Sequence, residues 1–226
     1  MNSAFSAVFA TAPRAVGGAA VKSSPARFCD AFCDEGAFTL DQTWRILTEA
    51  QALGLGLKVH ADEFLHLGAA ELAASLGAVS ADHLLCTTPR EMDALARAGV
   101  VAVLLPGTPF GLGQQTYADA RAMIAAGLPV ALGTDLNPGT CYCESMPFIM
   151  ALACRFMRMT PAEAVVAATV NAAHAIGRGA DLGRLQPGYA ADVLILDAAD
   201  HRDLSYRFGT NPVCTVIKRG LVVVTN

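Results

Sequence analysis

The chain has 226 residues with a net charge of −4, and 54% of them are hydrophobic, 16% charged and 7% aromatic. That balance excludes disorder over most of the length and leaves no basic footprint for nucleic acid or an anionic membrane surface. No apolar run reaches the roughly 18 residues that a membrane span requires, and the length suits one domain, or a domain with a small appendage.

In chain order, residues 1–25 have a mildly apolar start, Ala-rich filler and late basic residues, and are expected to form a poorly ordered leader. ARFCDAFC (26–33) reads as a strand, and Thr39-Leu-Asp-Gln42 as a capping box that opens a helix to about Leu53. LGLKVHA (55–61) is the next strand, followed by a helix over 68–77 and a strand at ADHLLCT (81–87). Thr88-Pro89-Arg90-Glu91 is a second capping box, with proline at the first helical position. VVAVLLPGT (100–108), a helix near 115–127 and the strand LPVALGTD (128–135) continue the alternation. Helices over 144–157 and 160–176 follow, the second opened by Thr160-Pro161-Ala162-Glu163. From GRLQPGYAADVLILD (183–197) to VCTVIKRGLVVV (213–224) the texture changes to strands and turns.

Strands alternating with amphipathic helices are the pattern of βα units around a parallel sheet. The fold class expected is therefore α/β: a partial TIM-like (β/α) barrel of about the last four or five βα units, over 26–180, with a small C-terminal β segment over 181–226. In such folds chemistry sits where strands end and loops begin. His60, His83 and Asp135 each fall at or just past such an end and are expected to converge.

In VHADE (59–63), an imidazole at His60 suits zinc or iron(II), and Glu63 can point into the same cavity from the loop. A buried histidine bonded to a backbone carbonyl is the alternative. The carboxylate in ALGTDLNPGT (131–140) can hold a metal through one oxygen and take a proton through the other. Beyond it Asn137, Gly139 and Thr140 suit a polar substrate tail, although Asn137-Pro138-Gly139 is equally an ordinary turn. Cys29/Cys33 and Cys141/Cys143 lack CxxC spacing, so unliganded thiols in a reducing cytoplasm are expected of the seven cysteines.

Taken together, VHADEF, SADHLL and LGTDLNPGT resemble the amidohydrolase superfamily, and their wording is similar to the imidazolonepropionases; NAAHAIG (171–177) and LQPGYAADVLILD (185–197) are also typical of the superfamily's C-terminal region. The resemblance covers about residues 26–224. It implies that His60 and Asp135 ligate one divalent metal, zinc or iron, and that His83 and Asp135 are catalytic. Glu63, Asn137, Gly139 and Thr140 would bind a small imidazolone substrate. The implied reaction is hydrolysis, by metal-activated water, of the cyclic amide C–N bond of 4-imidazolone-5-propanoate, giving N-formimino-L-glutamate in histidine catabolism. The family takes two further ligands from a His-x-His on its first barrel strand, and no His-x-His occurs here, so a C-terminal portion lacking that strand is expected, its 181–226 segment belonging to an outer composite β domain. His66, His174 and His201 are expected to be surface or packing residues. The activity of such a chain in isolation stays open, and its uncovered apolar sides imply self-association, as a homodimer for instance. Another cyclic-amide hydrolase or a deaminase, and a non-catalytic remnant that binds a partner, are the competing readings.

Overall fold

The computed structural model describes residues 26–226, so the expected leader lies outside the described residues. Five parallel strands, β1 (Phe28–Cys33), β2 (Gly56–Ala61), β3 (Ser80–His83), β4 (Val101–Leu104) and β5 (Val130–Leu132), lie side by side in sequence order. Parallel neighbours need a crossover, and α1 (Leu40–Ala52), α2 (Ala69–Leu76), α3 (Pro89–Ala98) and α5 (Ala120–Ala125) supply them. β3 and β5 are buried throughout, as strands covered on both faces are; β5 is wholly apolar, whereas β3 carries the buried polar residues Ser80, Asp82 and His83. The core between strands and helices is built from Leu47, Val59, Leu95, Leu104, Met123 and Ile149, each fully excluded from solvent.

The expected capping boxes form. Gln42 N–H donates to Thr39 Oγ1 at 3.3 Å while Thr39 N–H donates to Gln42 Oε1 at 2.9 Å. Thr88 N–H reaches Glu91 Oε2 at 2.9 Å, and Thr160 N–H reaches Glu163 Oε2 at 2.7 Å. Each box satisfies donors that a bare helix start leaves orphaned, a contribution of about 1 kcal/mol.

Several expected bounds differ, and each for a local reason. The strand expected over 81–87 ends at His83, because His83 and Leu84 take φ of 75° and 60° and leave the pleat. The strand expected over 100–108 ends at Leu104; Pro106 has no N–H for a ladder, and the chain turns into the short helix α4 (Gly107–Gly111). Gly107 is required there, since a Cβ would stand 2.6 Å from Cys141 Sγ. The helix near 115–127 begins only after Asp119, whose side chain accepts from Ala122 N–H at 3.0 Å. Helix 144–157 is α6 (Met146–Phe156), and the run 160–176 is α7 (Pro161–Val166) and α8 (Ala172–Ala175) joined by a π segment, Ala167–Asn171.

After the barrel segment, β6 (Val193–Leu196), β7 (Val213–Lys218) and β8 (Leu221–Thr225) form an antiparallel sheet in that order. Arg219 and Gly220, at φ 51° and 79°, make the tight β7–β8 turn that the right-handed twist of a hairpin favours. A short helix, α9 (Asp203–Tyr206), lies against α6, where Arg155 Nη1 donates to Ser205 O at 2.9 Å. Among the described residues no helix is long and apolar enough to cross a membrane. None of the seven cysteines is disulfide-bonded.

Candidate active site

The strand ends deliver the expected residues to one place. β2 carries His60, β3 ends on His83, and Asp135 follows β5; one ligand atom from each lies within 4.8 Å of the others. The His60 and His83 rings are 5.3 Å apart, tilted by 46°. Glu63 joins this group from the loop after β2, its Oε2 3.5 Å from His83 Nε2, and Asp135 Oδ2 is 4.0 Å from that nitrogen. His83 is 2% exposed and Glu63 7%, so these contacts lie in a largely dry site. Asp62, His83 and Asp135 all hold positive φ, at 51°, 75° and 52°. Such backbone is uncommon and costly for non-glycine residues, and four of the six non-glycine cases among the described residues, Asp62, His83, Leu84 and Asp135, fall in the turns at these strand ends.

The electrostatics separate the groups. Burial, seconded by the positive charge of His60, drives the His83 pKa down to about 3, so its ring is neutral at physiological pH. Its buried Nδ1 has no hydrogen-bond partner among the described residues, while Nε2 faces the two carboxylates. Burial and then the charge of Asp135 raise Glu63 to about 7, against the pull of His60. For His60 burial acts downward, but the hydrogen bond and charge of Asp30, with the charges of Asp82 and Asp135, outweigh it and lift the ring to about 9.

Neighbouring groups that sequence reasoning missed hold this cavity in shape. Asp30 Oδ1 lies 3.0 Å from His60 Nδ1. Thr108, 1% exposed, donates its hydroxyl to Asp135 Oδ2. Asp34 and Asp62, both buried, bracket the Glu63 loop: Asp34 accepts from Phe64 N–H at 2.8 Å and Leu65 N–H at 3.2 Å, and Asp62 from Leu67 N–H at 3.2 Å. Beneath His60, Ser80 Oγ donates to Asp82 Oδ1 at 2.7 Å, and Lys58 Nζ stands 3.8 Å from that carboxylate. The available signal was a charged residue inside an apolar parallel strand, Asp30 in FCDAFC and Lys58 in GLKVHA, which is costly without a partner.

Asn137, Gly139 and Thr140 meet one another. Asn137 Oδ1 accepts from Gly139 N–H and Thr140 N–H, each at 2.8 Å, and its Nδ2 donates to Asp135 O at 2.8 Å and Thr140 Oγ1 at 3.0 Å. The amide thus builds the turn that follows Asp135. Leu136, Asn137, Pro138, Tyr142 and Glu144 line an open cleft of about 330 Å³ beside it. The remaining histidines stay outside the His60–His83–Asp135 group: His66 bonds Glu91 at 2.9 Å, His201 lies 3.3 Å from Asp200, and the ring of His174 packs on Gly179, where a Cβ would meet it at 2.3 Å.

The model of the amidohydrolase family matches residues 18–224. The chain belongs to this amidohydrolase family. Among curated amidohydrolase relatives, the imidazolonepropionase of Shouchella clausii is 54% identical over 199 residues, which are 88% of this chain and 44% of that protein. Those of Chloroflexus aggregans and Halobacterium salinarum are 54% and 52% identical, covering 92% and 91% of this chain and 49% and 50% of theirs. The chain therefore spans about half the length of these relatives. Solved structures share this fold at low identity. A 5-methylcytosine deaminase from Klebsiella pneumoniae superposes with TM-score 0.74 at 19% identity, over 88% of this chain and 56% of that one. A zinc-bound adenosine deaminase from Xanthomonas campestris gives TM-score 0.72 at 21%, over 89% of this chain and 53% of that one.

Proposed function

We propose that this chain takes part in hydrolytic opening of an imidazolone ring, the reaction of imidazolonepropionase, releasing N-formimino-L-glutamate. The observation that carries it is the meeting of His60, His83, Asp135 and Glu63 in one cluster of side chains, in a chain 54% identical to such an enzyme. Two imidazoles and a carboxylate within 4.8 Å of one another fit a borderline-soft divalent ion, zinc or iron, with His60 and Asp135 holding it and His83 also within range. When bound, such an ion supplies Lewis acidity that activates water and polarises a carbonyl.

The residues of the chain do the rest. His83, neutral at pH 7, donates from Nε2 to the lactam carbonyl oxygen, the atom on which negative charge develops. Glu63, titrating near neutrality, accepts the ring N–H as a carboxylate. Asp135 takes a proton from the attacking water and returns it to the ring nitrogen as the C–N bond breaks; the water oxygen ends in the new carboxylate. Asn137 acts by shaping the loop on which Gly139 and Thr140 meet the propionate arm. Unbridged cysteines support a reducing, cytoplasmic setting, and the exposed apolar side chains Leu194, Leu221 and Val222 support self-association as a homodimer.

The test is consumption of imidazolone propanoate, followed by ultraviolet absorbance, with the chain loaded with zinc or iron. Hydantoin, adenosine and 5-methylcytosine serve as competitors for the assignment. Loss of the imidazolone absorbance, abolished in Asp135→Asn, supports the reading. Turnover of a hydantoin or a base instead, or a metal-loaded chain inert towards imidazolone, overturns it.

A further inference from the structure

We infer that Asp30 is a positioning residue that decides which nitrogen of His60 is offered to the cavity. Asp30 lies in the middle of β1, on a strand that contributes none of the residues assigned to chemistry above. The β1–β2 register sets Asp30 beside Lys58 and Phe32 beside His60, so the Asp30 carboxylate approaches the His60 ring from the row below. There its Oδ1 takes Nδ1 at 3.0 Å. The ring is confined on two further sides, by an edge contact with Phe32 at 5.8 Å and by His83 at 5.3 Å. With Nδ1 committed to a carboxylate, Nε2 is the atom His60 can offer to the space it shares with His83 and Asp135.

Asp82 is the competing candidate for this role, since it also lies within 4.8 Å of the Asp30 and His60 donor atoms. Its carboxylate is engaged elsewhere, by Ser80 Oγ at 2.7 Å and by the Lys58 ammonium at 3.8 Å. That ammonium also supplies the positive charge a cation among Asp30, His60 and Asp82 would bring. Asp82 therefore contributes field to His60 and Asp30 contributes direction.

The functional consequence rests on the reading that His60 is a metal ligand; the tautomer itself does not, and the experiment separates the two. The imidazole ¹⁵N shifts of the metal-free full chain are followed as pH is raised until the His60 resonance stops moving, where the neutral ring is read, with His60→Gln used only to assign the resonance. Wild type is expected to carry its proton on Nδ1. Asp30→Ala is expected to move it to Nε2, Asp30→Asn to keep it on Nδ1 because the amide carbonyl still accepts, and Asp82→Asn to leave it unchanged. The Asp30 side chain is 36% exposed, so its removal opens no buried void. In a second arm, zinc affinity is read by chelator competition. Asp30→Ala is expected to lose about 10- to 100-fold, the usual effect of removing a partner behind a ligand histidine, and Asp30→Asn less. An Nδ1 proton retained in Asp30→Ala, or an affinity equal to wild type, overturns the inference. Absence of zinc binding by wild type sinks the metal reading, and the tautomer arm still decides the inference about Asp30.

Discussion

Replacing Thr108 by valine isolates one hydrogen bond of the site. Thr108 is 1% exposed and its Oγ1–H donates to Asp135 Oδ2, while the Asp135 side chain is 17% exposed. Valine keeps the branched shape, so the packing around α4 is preserved and the cavity contribution is small. What is lost is a donor to a charged acceptor, worth about 1.5–3 kcal/mol, and at 17% exposure water replaces only part of it. We expect Thr108→Val to destabilise the metal-free chain by about 2 kcal/mol, roughly 30-fold in the folding equilibrium. Thr108→Ser keeps the hydroxyl and loses one buried methyl group, costing about 1 kcal/mol. Urea unfolding of the three proteins reads this as a shift in midpoint at unchanged slope. A Thr108→Val protein within about 0.5 kcal/mol of wild type, or a serine variant less stable than the valine one, would refute the reasoning.

Stability of the metal-free chain should depend on pH through three groups of the cavity. His83 falls from 6.5 in the unfolded chain to about 3 when folded, so between these values the unfolded chain binds the extra proton and stability rises with pH. Glu63 rises from 4.5 to about 7, so its contribution is fully present below 4.5 and lost as pH climbs through 7, opposing His83 in the overlap. His60 rises from 6.5 to about 9, and its contribution is complete below 6.5 and lost as pH rises through 9. The thermal midpoint should therefore climb from pH 3 to about 4.5, flatten, and fall between 6.5 and 9; a His60→Gln chain keeps only the Glu63 part of that last fall, and one that falls as far as wild type would contradict the assignment. In the core, Leu95 of α3 is fully buried, and Leu95→Ala should cost about 2–5 kcal/mol by leaving a cavity under the sheet, measurable by denaturant unfolding.

Local chemistry was legible wherever it is written within a few residues. The threonine, proline and glutamate or glutamine at helix starts define capping boxes without help from the rest of the chain. The alternation of apolar strands and amphipathic helices could be read as a parallel sheet because crossovers are the only way to join such strands. The motifs around His60, His83 and Asp135 were visible because each marks a strand end, and strand ends of a parallel sheet share an edge.

Register and backbone detail lay beyond that reach. That Asp30 grips His60 depends on Phe32, not Asp30, being level with His60 across β1 and β2, a matter of one strand sliding against another. The Thr108 hydroxyl meets Asp135 because the chain leaves β4 at Leu104 and coils, where apolarity alone would have continued the strand. Asn137 spends its amide on its own turn, a choice made by loop geometry and not by residue type. The helix starts, the parallel α/β class and the three strand-end side chains could all be read from short stretches of neighbouring residues. That Asp30 stands behind His60 and Thr108 behind Asp135 follows only from packing, because these partners are separated by 30 and 27 residues along the chain.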